Sequence, residues 1–135
     1  MTLTDLFKYL GAPLANPRWS WGAVRTTDGA VFLRVWQGEV RKSGKRYLAR
    51  VTAIAHFQGD EGNLGFAERM RHIELIRGGA RSFMIMCEAK DVHASPRAIG
   101  KFNQREVFVG GALEEADGEW WLEMASRQPV QSIRI

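Results

Sequence analysis

The sequence predicts an α+β fold, a mainly antiparallel and partly closed β-barrel of about six strands with two or three helices. Three features lead there. Asp-Gly pairs at Thr27-Asp28-Gly29 and Asp117-Gly118 sit between alternating apolar and polar runs, and Asp-Gly accepts the positive φ that tight hairpins demand. Phe66, Met70, Ile73 and Ile76 recur at helical spacing over residues 66–77, just before a Gly78-Gly79 stop. From Arg18 to Ile54 the pattern turns to short alternating runs that read as three strands.

Residues 2–11 open the chain as a short helix. Thr2 or Thr4 caps it, Leu3, Leu6, Phe7 and Leu10 form its apolar stripe, and Gly11 ends it. Pro13 and Pro17 hold the following connection extended. Strands are expected at residues 19–26 and 30–37 around the first Asp-Gly turn, then at 46–54 after a turn over 38–45. In the second strand Val31, Leu33 and Val35 share one face and Phe32, Arg34 and Trp36 the other, which points to a core side and a side that touches something else. Residues 56–65, with Gly59, Gly62 and Gly65, read as a polar loop, 66–77 as the clearest helix and 81–88 as a buried strand. Pro96 opens a short helical turn through Phe102. A second hairpin follows, kinked at Gly110-Gly111, with residues 120–124 returning from the Asp117-Gly118 turn and a last strand at 130–135.

At 135 residues the chain forms one domain, residues 1–135, able to bury its own core. Its 45% hydrophobic and 25% charged content is that of a folded globular chain, which excludes disorder. Cys87, the single cysteine, lies in the apolar run Phe83-Met84-Ile85-Met86 and reads as a buried small hydrophobe. With no internal disulfide, and with Asp5 and Lys8 interrupting the N-terminal apolar stretch where a signal peptide would be continuous, the expected setting is cytoplasmic.

Charge is segregated along the chain. Residues 1–55 hold nine Lys or Arg against three Asp or Glu, the remaining 80 hold ten against twelve, and the net charge of +4 comes from the N-terminal part. That part also holds Trp19, Trp21 and Trp36, interleaved with Arg18, Arg25 and Arg34. Cations beside flat aromatic rings suit a polyanion with stackable bases. The same residues also fit an amphipathic sheet whose arginines reach out to water. In the first case the binding residues are Asn16, Arg18, Trp19, Trp21, Arg34 and Trp36. Arginines would follow the phosphates, tryptophans would wall a base, and Asn16 or Ser20 would hydrogen-bond a base edge. The expected partner is nucleic acid, with no membrane and no cofactor.

Glu88-Ala89-Lys90, at the end of the apolar strand, is the alternative. The tripeptide resembles the half-motif of restriction-endonuclease-like nucleases, in which the carboxylate holds Mg²⁺ and the lysine assists the attacking water. Its partner aspartate is missing from the preceding strand, where Asp60 and Glu61 fall in the glycine-rich segment. A protein-interaction module with exposed aromatics is the third possibility. His56, His72 and His93 are dispersed without metal-ligand spacing. Glu68 with His72 reads as a solvated helical pair, and Arg69 and Arg71 as exposed, either solvated or extending a phosphate path.

The aromatic N-terminal strands, the central helix and the closing run Glu106-Val107-Phe108-Val109-Gly110-Gly111-Ala112-Leu113 together resemble the PUA-like superfamily, in its EVE-type and YTH-type branches. The resemblance implies a small α+β barrel that binds RNA or DNA and holds a modified or flipped base between aromatic walls. It assigns those walls to Trp19, Trp21 and Trp36, flanked by Arg18 and Arg34.

Overall fold

The computed structural model describes residues 1–52, 59–94 and 98–134, apart from the side chains of residues 59–63. Along the chain come α1 (Leu3–Tyr9), β1 (Gly22–Val24), β2 (Val31–Trp36), a 3-10 turn (Gln37–Glu39), β3 (Val40–Ser43), β4 (Arg46–Arg50), α2 (Gly59–Arg77), β5 (Ser82–Ala89), β6 (Ile99–Phe102), β7 (Glu106–Ala116), β8 (Glu119–Pro129) and α3 (Val130–Ile133). Local chemistry sets the clearest boundaries. At α1, Thr2 Oγ1 accepts the Asp5 N–H at 3.1 Å and the Thr2 N–H donates to Asp5 Oδ2 at 3.0 Å, a reciprocal cap. Between β7 and β8, Asp117 and Gly118 take φ of 55° and 77°, the left-handed pair of a two-residue hairpin loop.

The described strands form one eight-stranded sheet in the order β1-β2-β5-β7-β8-β4-β3, with β6 paired to β5 off that path. All pairings are antiparallel except β2 with β5, which runs parallel from Val31 opposite Ser82 to Trp36 opposite Cys87. A parallel pair needs a long crossover, supplied here by β3, β4 and α2. β2 touches β4 although three strands separate them in the sheet, so the sheet curls strongly. It does not close. The expected α+β class and antiparallel bias are present, with more strands than expected and an open sheet in place of a barrel.

Both faces of the β2–β5 pair are buried, as for parallel strands generally. On the convex side Phe32, Trp36, Phe83 and Ile85 pack under Leu6, Phe7 and Leu10 of α1 and Val130 and Ile133 of α3. On the concave side Val31, Leu33, Val35, Met84 and Leu122 pack against Ile73 of α2. The face of β2 that carries Arg34 between two aromatics is therefore a second core, not an outer surface. No helix among the described residues is long and apolar enough to cross a membrane.

Several boundaries differ from expectation. The strand expected at 19–26 shrinks to Gly22–Val24, because the Ser20 N–H bonds the Asn16 carbonyl at 2.9 Å and folds residues 16–20 into a turn. The segment 38–45 contains β3 as well as a turn. Residues 99–102 are strand, and 130–133 are helix. Ile54, residues 56–58 and Pro96 lie outside the described residues.

α2 begins at Gly59, seven residues before the helix expected at Phe66, although glycine disfavours helix. Gly65 shows one reason for that composition. A Cβ there would stand 2.6 Å from the Trp19 carbonyl oxygen and inside contact distance of Trp21 Nε1. Gly65→Ala gains about 1 kcal/mol of helix propensity but overpacks this seam. We expect a net loss of about 2 kcal/mol in urea denaturation; a stabilised variant would contradict the packing.

Candidate functional site

The six expected nucleic-acid-binding residues do not converge on a surface. Asn16 is spent locally: its Oδ1 accepts the Arg18 N–H at 2.9 Å and its own N–H donates to Ser20 Oγ at 3.0 Å. Arg18 is exposed and Trp19 half-buried. Trp21 is 2% exposed, edge-on to Phe66 with centroids 6.2 Å apart and with the Arg69 guanidinium 5.8 Å from its ring. Trp36 is 1% exposed in the convex-side core. Burial lowers the pKa of Arg34, with Cys87 and Glu68 nearby. Trp21 and Trp36 have no open ring face for a base, because α1, α2 and the sheet already occupy those faces. As aromatic walls of a pocket they are corrected to core.

The polar residues of α2 are likewise turned inward. Glu68 Oε2 accepts the Ser20 hydroxyl at 2.9 Å and Oε1 the Trp21 N–H at 3.2 Å. Arg69 donates to the carbonyls of Val51, Trp21 and Arg34 at 2.6 to 2.8 Å. His72 is buried beside them. Glu68, Arg69 and His72, read from sequence as solvated, are the polar seam between helix and sheet; Arg71 is exposed as expected.

Three of the nine N-terminal cations, Arg25, Arg46 and Arg50, are answered by acids within the fold. Arg46 pairs with Glu114, and Arg50 with Glu39 at 2.7 Å and Glu119 at 3.9 Å. Arg25 is buried against Asp28 at 2.9 Å and donates to the carbonyls of Leu10 and Ile133. Its guanidinium holds the Asp28 carboxyl down at about 2. Arg41 lies 3.9 Å above the Trp121 ring. Basic strands β3 and β4 therefore complement the acidic β7–β8 hairpin.

A different surface combines cations, rings and concavity. β5 pairs with β7 at Phe83 and Met84 and then with β6 from Cys87 to Ala89, so the sheet forks beyond Met84. A cleft of about 500 Å³ opens in the fork, walled by Met86, Glu88, Phe102, Asn103, Phe108, Met124 and Arg127. A second, of about 390 Å³, is walled by Tyr47, Phe108, Met124, Ser126 and Arg127. Their shared residues make them one groove at the open end of the concave face.

Two cross-strand pairs flank this groove. Arg127 stands opposite Phe108 on β7 and β8, its guanidinium 5.0 Å from the ring. Lys42 stands opposite Tyr47 on β3 and β4, its Nζ 5.9 Å from the ring. Tyr47 is 51% exposed and the Arg127 side chain 63%, with Glu106 as a loose partner at 3.7 Å. Asn103 Oδ1 accepts the N–H groups of Arg105 and Glu106, which leaves its amide NH₂ as the remaining donor. Sequence reasoning missed this set, although the signal was there: counting outward equally from the Asp117-Gly118 and Gly44-Lys45 turns pairs Phe108 with Arg127 and Tyr47 with Lys42.

Glu88 reaches the same groove, 42% exposed, and its charged neighbour is Lys101 across the β5–β6 pair at 3.7 Å. Lys90 is exposed beyond the strand end. Glu88 is thus engaged by Lys101, and Lys90 stands apart from the groove lining. Among the described residues no three His, Cys, Asp or Glu side chains gather as a metal site. Cys87 is buried, which pushes its thiol up to about 11 and away from nucleophilic use.

A further cleft, about 610 Å³, lies at the end of α2 between Arg77, Arg81 and Trp120. Arg77 faces Glu74 at 2.8 Å, and Arg81 faces Asp28 at 3.7 Å, as loosely as Arg127 faces Glu106. The carbonyl end of α2 adds negative potential there, so it is the poorer anion site. Comparison with family models, curated proteins and solved structures finds no match.

Proposed function

We propose that this domain binds single-stranded nucleic acid, with a base lodged in the groove at the sheet fork and the flanking phosphates on Lys42 and Arg127. The observation that carries this is the pair of cross-strand cation–aromatic couples, Lys42 with Tyr47 and Arg127 with Phe108, on one concave surface. Every base has a π-face, so stacking on such rings holds a strand without regard to sequence, at about 1–3 kcal/mol per base. Cations beside the rings meet the phosphates that bracket a splayed base. The PUA-like resemblance carries the same expectation, with the pocket in a different place from the tryptophans it named.

The test is fluorescence anisotropy of end-labelled single-stranded DNA and RNA 12-mers at 50 mM and 200 mM salt. Two phosphate contacts predict an affinity loss of about sevenfold over that range. Binding indifferent to salt, or no binding at 50 mM, contradicts the proposal.

A further inference from the structure

We infer that the groove selects guanine, with Glu88 as the residue that reads it. This rests on the nucleic-acid reading of the same groove. Among the described residues Glu88 is the one carboxylate lining the groove. A carboxylate in a phosphate-binding groove opposes a polyanion, unless it meets donors on the base. An ionised carboxylate only accepts hydrogen bonds, and it offers two oxygens side by side.

Of the standard bases, guanine alone presents two adjacent donors, the ring N1–H and the exocyclic N2 amino group. Adenine and cytosine offer one donor beside an acceptor, and uracil and thymine flank theirs with carbonyls that a carboxylate repels. Two parallel bonds from guanine to Glu88 are charge-assisted and fix the orientation of the ring. The next atom along the same edge, O6, accepts, and Asn103 brings an amide NH₂ to the same cleft. Phe108, with Met86 and Met124, supplies a ring and polarizable sulfur for the faces of the purine, while Phe102 packs toward the convex-side core. Lys101 holds Glu88 only across 3.7 Å at an exposed position, a contact readily exchanged for a ligand.

The experiment compares labelled oligo-dT strands carrying one central guanine, hypoxanthine or adenine, with wild-type protein and Glu88→Gln. Hypoxanthine keeps N1–H and O6 but lacks the N2 amino group. The expected order is guanine, then hypoxanthine, then adenine, with guanine over adenine by tenfold or more. In Glu88→Gln, where an amide donor replaces one acceptor, the guanine-to-adenine ratio falls to within about twofold. Calorimetry with GMP, IMP and AMP forms a second arm. Equal affinity for the three strands in the wild type, or an unchanged ratio in Glu88→Gln, overturns the guanine assignment and leaves strand binding intact. Preference among the mononucleotides without binding of any strand keeps the guanine assignment and overturns the strand reading.

Discussion

Arg69→Ala is expected to lower the unfolding free energy by about 3–5 kcal/mol, the range for removing one partner of a buried charged network. The Arg69 guanidinium bonds three backbone carbonyls, of Val51, Trp21 and Arg34, and so ties α2 to β1, β2 and the end of β4. Alanine leaves those oxygens short of a donor in a place closed to water, and removes one of the two cations, Arg69 and Arg34, near buried Glu68. Arg69→Lys recovers little of the loss, since one ammonium cannot follow a fork that spans three strands' ends. Guanidinium denaturation followed by tryptophan fluorescence measures it, with buried Trp21 and Trp36 as reporters. A loss below about 1 kcal/mol would mean that those carbonyls are hydrated in the native state.

The second large effect is acid destabilisation centred on His72. Burial, then the charges of Arg69 and Arg71, pull its pKa from 6.5 down to about 4. The unfolded chain therefore takes up a proton at higher pH than the folded one. Stability is intact above about 6.5 and falls as the pH drops toward 4, by up to about 3 kcal/mol in total. Asp28 acts in a lower window: its contribution is present above about 4 and is lost as the pH falls toward about 2. His72→Leu is expected to flatten the stability profile between pH 6.5 and 4 and leave the acid limb below it. Equal slopes for the variant and the parent would contradict the account.

Local rules carried much of the fold. The capped opening helix, both Asp-Gly hairpins, the helix ending at Gly78-Gly79 and the two central strands were legible because turn chemistry and periodicity act over a few residues. What escaped depends on distant partners. β3 is short and polar, and it becomes a strand by pairing with β4. The glycines at the start of α2 read as loop, while Gly65 is required by tryptophans more than forty residues away.

The site was less legible than the fold, for two physical reasons. Alternation along β2 separated its two faces correctly, but a strand does not reveal whether both faces are covered, and here α1 and α3 cover the second. Charge segregation resembled a polyanion footprint, yet folding sets the basic β3–β4 hairpin beside the acidic β7–β8 hairpin, and Arg46 and Arg50 find Glu114 and Glu119. On α2, Glu68, Arg69 and His72 look like a solvated face until the sheet is laid against them. The groove residues were readable in principle, since register follows from the turns, but nothing in composition marks Tyr47, Phe108 and Arg127 as belonging together.

The central claim is that binding resides at the sheet fork and not in the N-terminal Arg-Trp segment. The most direct measurement is the affinity of a labelled single-stranded 12-mer at 50 mM salt for Arg127→Glu and Arg18→Glu, both exposed positions where charge reversal leaves the core untouched. The account predicts a loss of tenfold or more for Arg127→Glu and a change within about threefold for Arg18→Glu. Loss of binding in Arg18→Glu with Arg127→Glu unaffected would contradict it and return the site to the N-terminal segment.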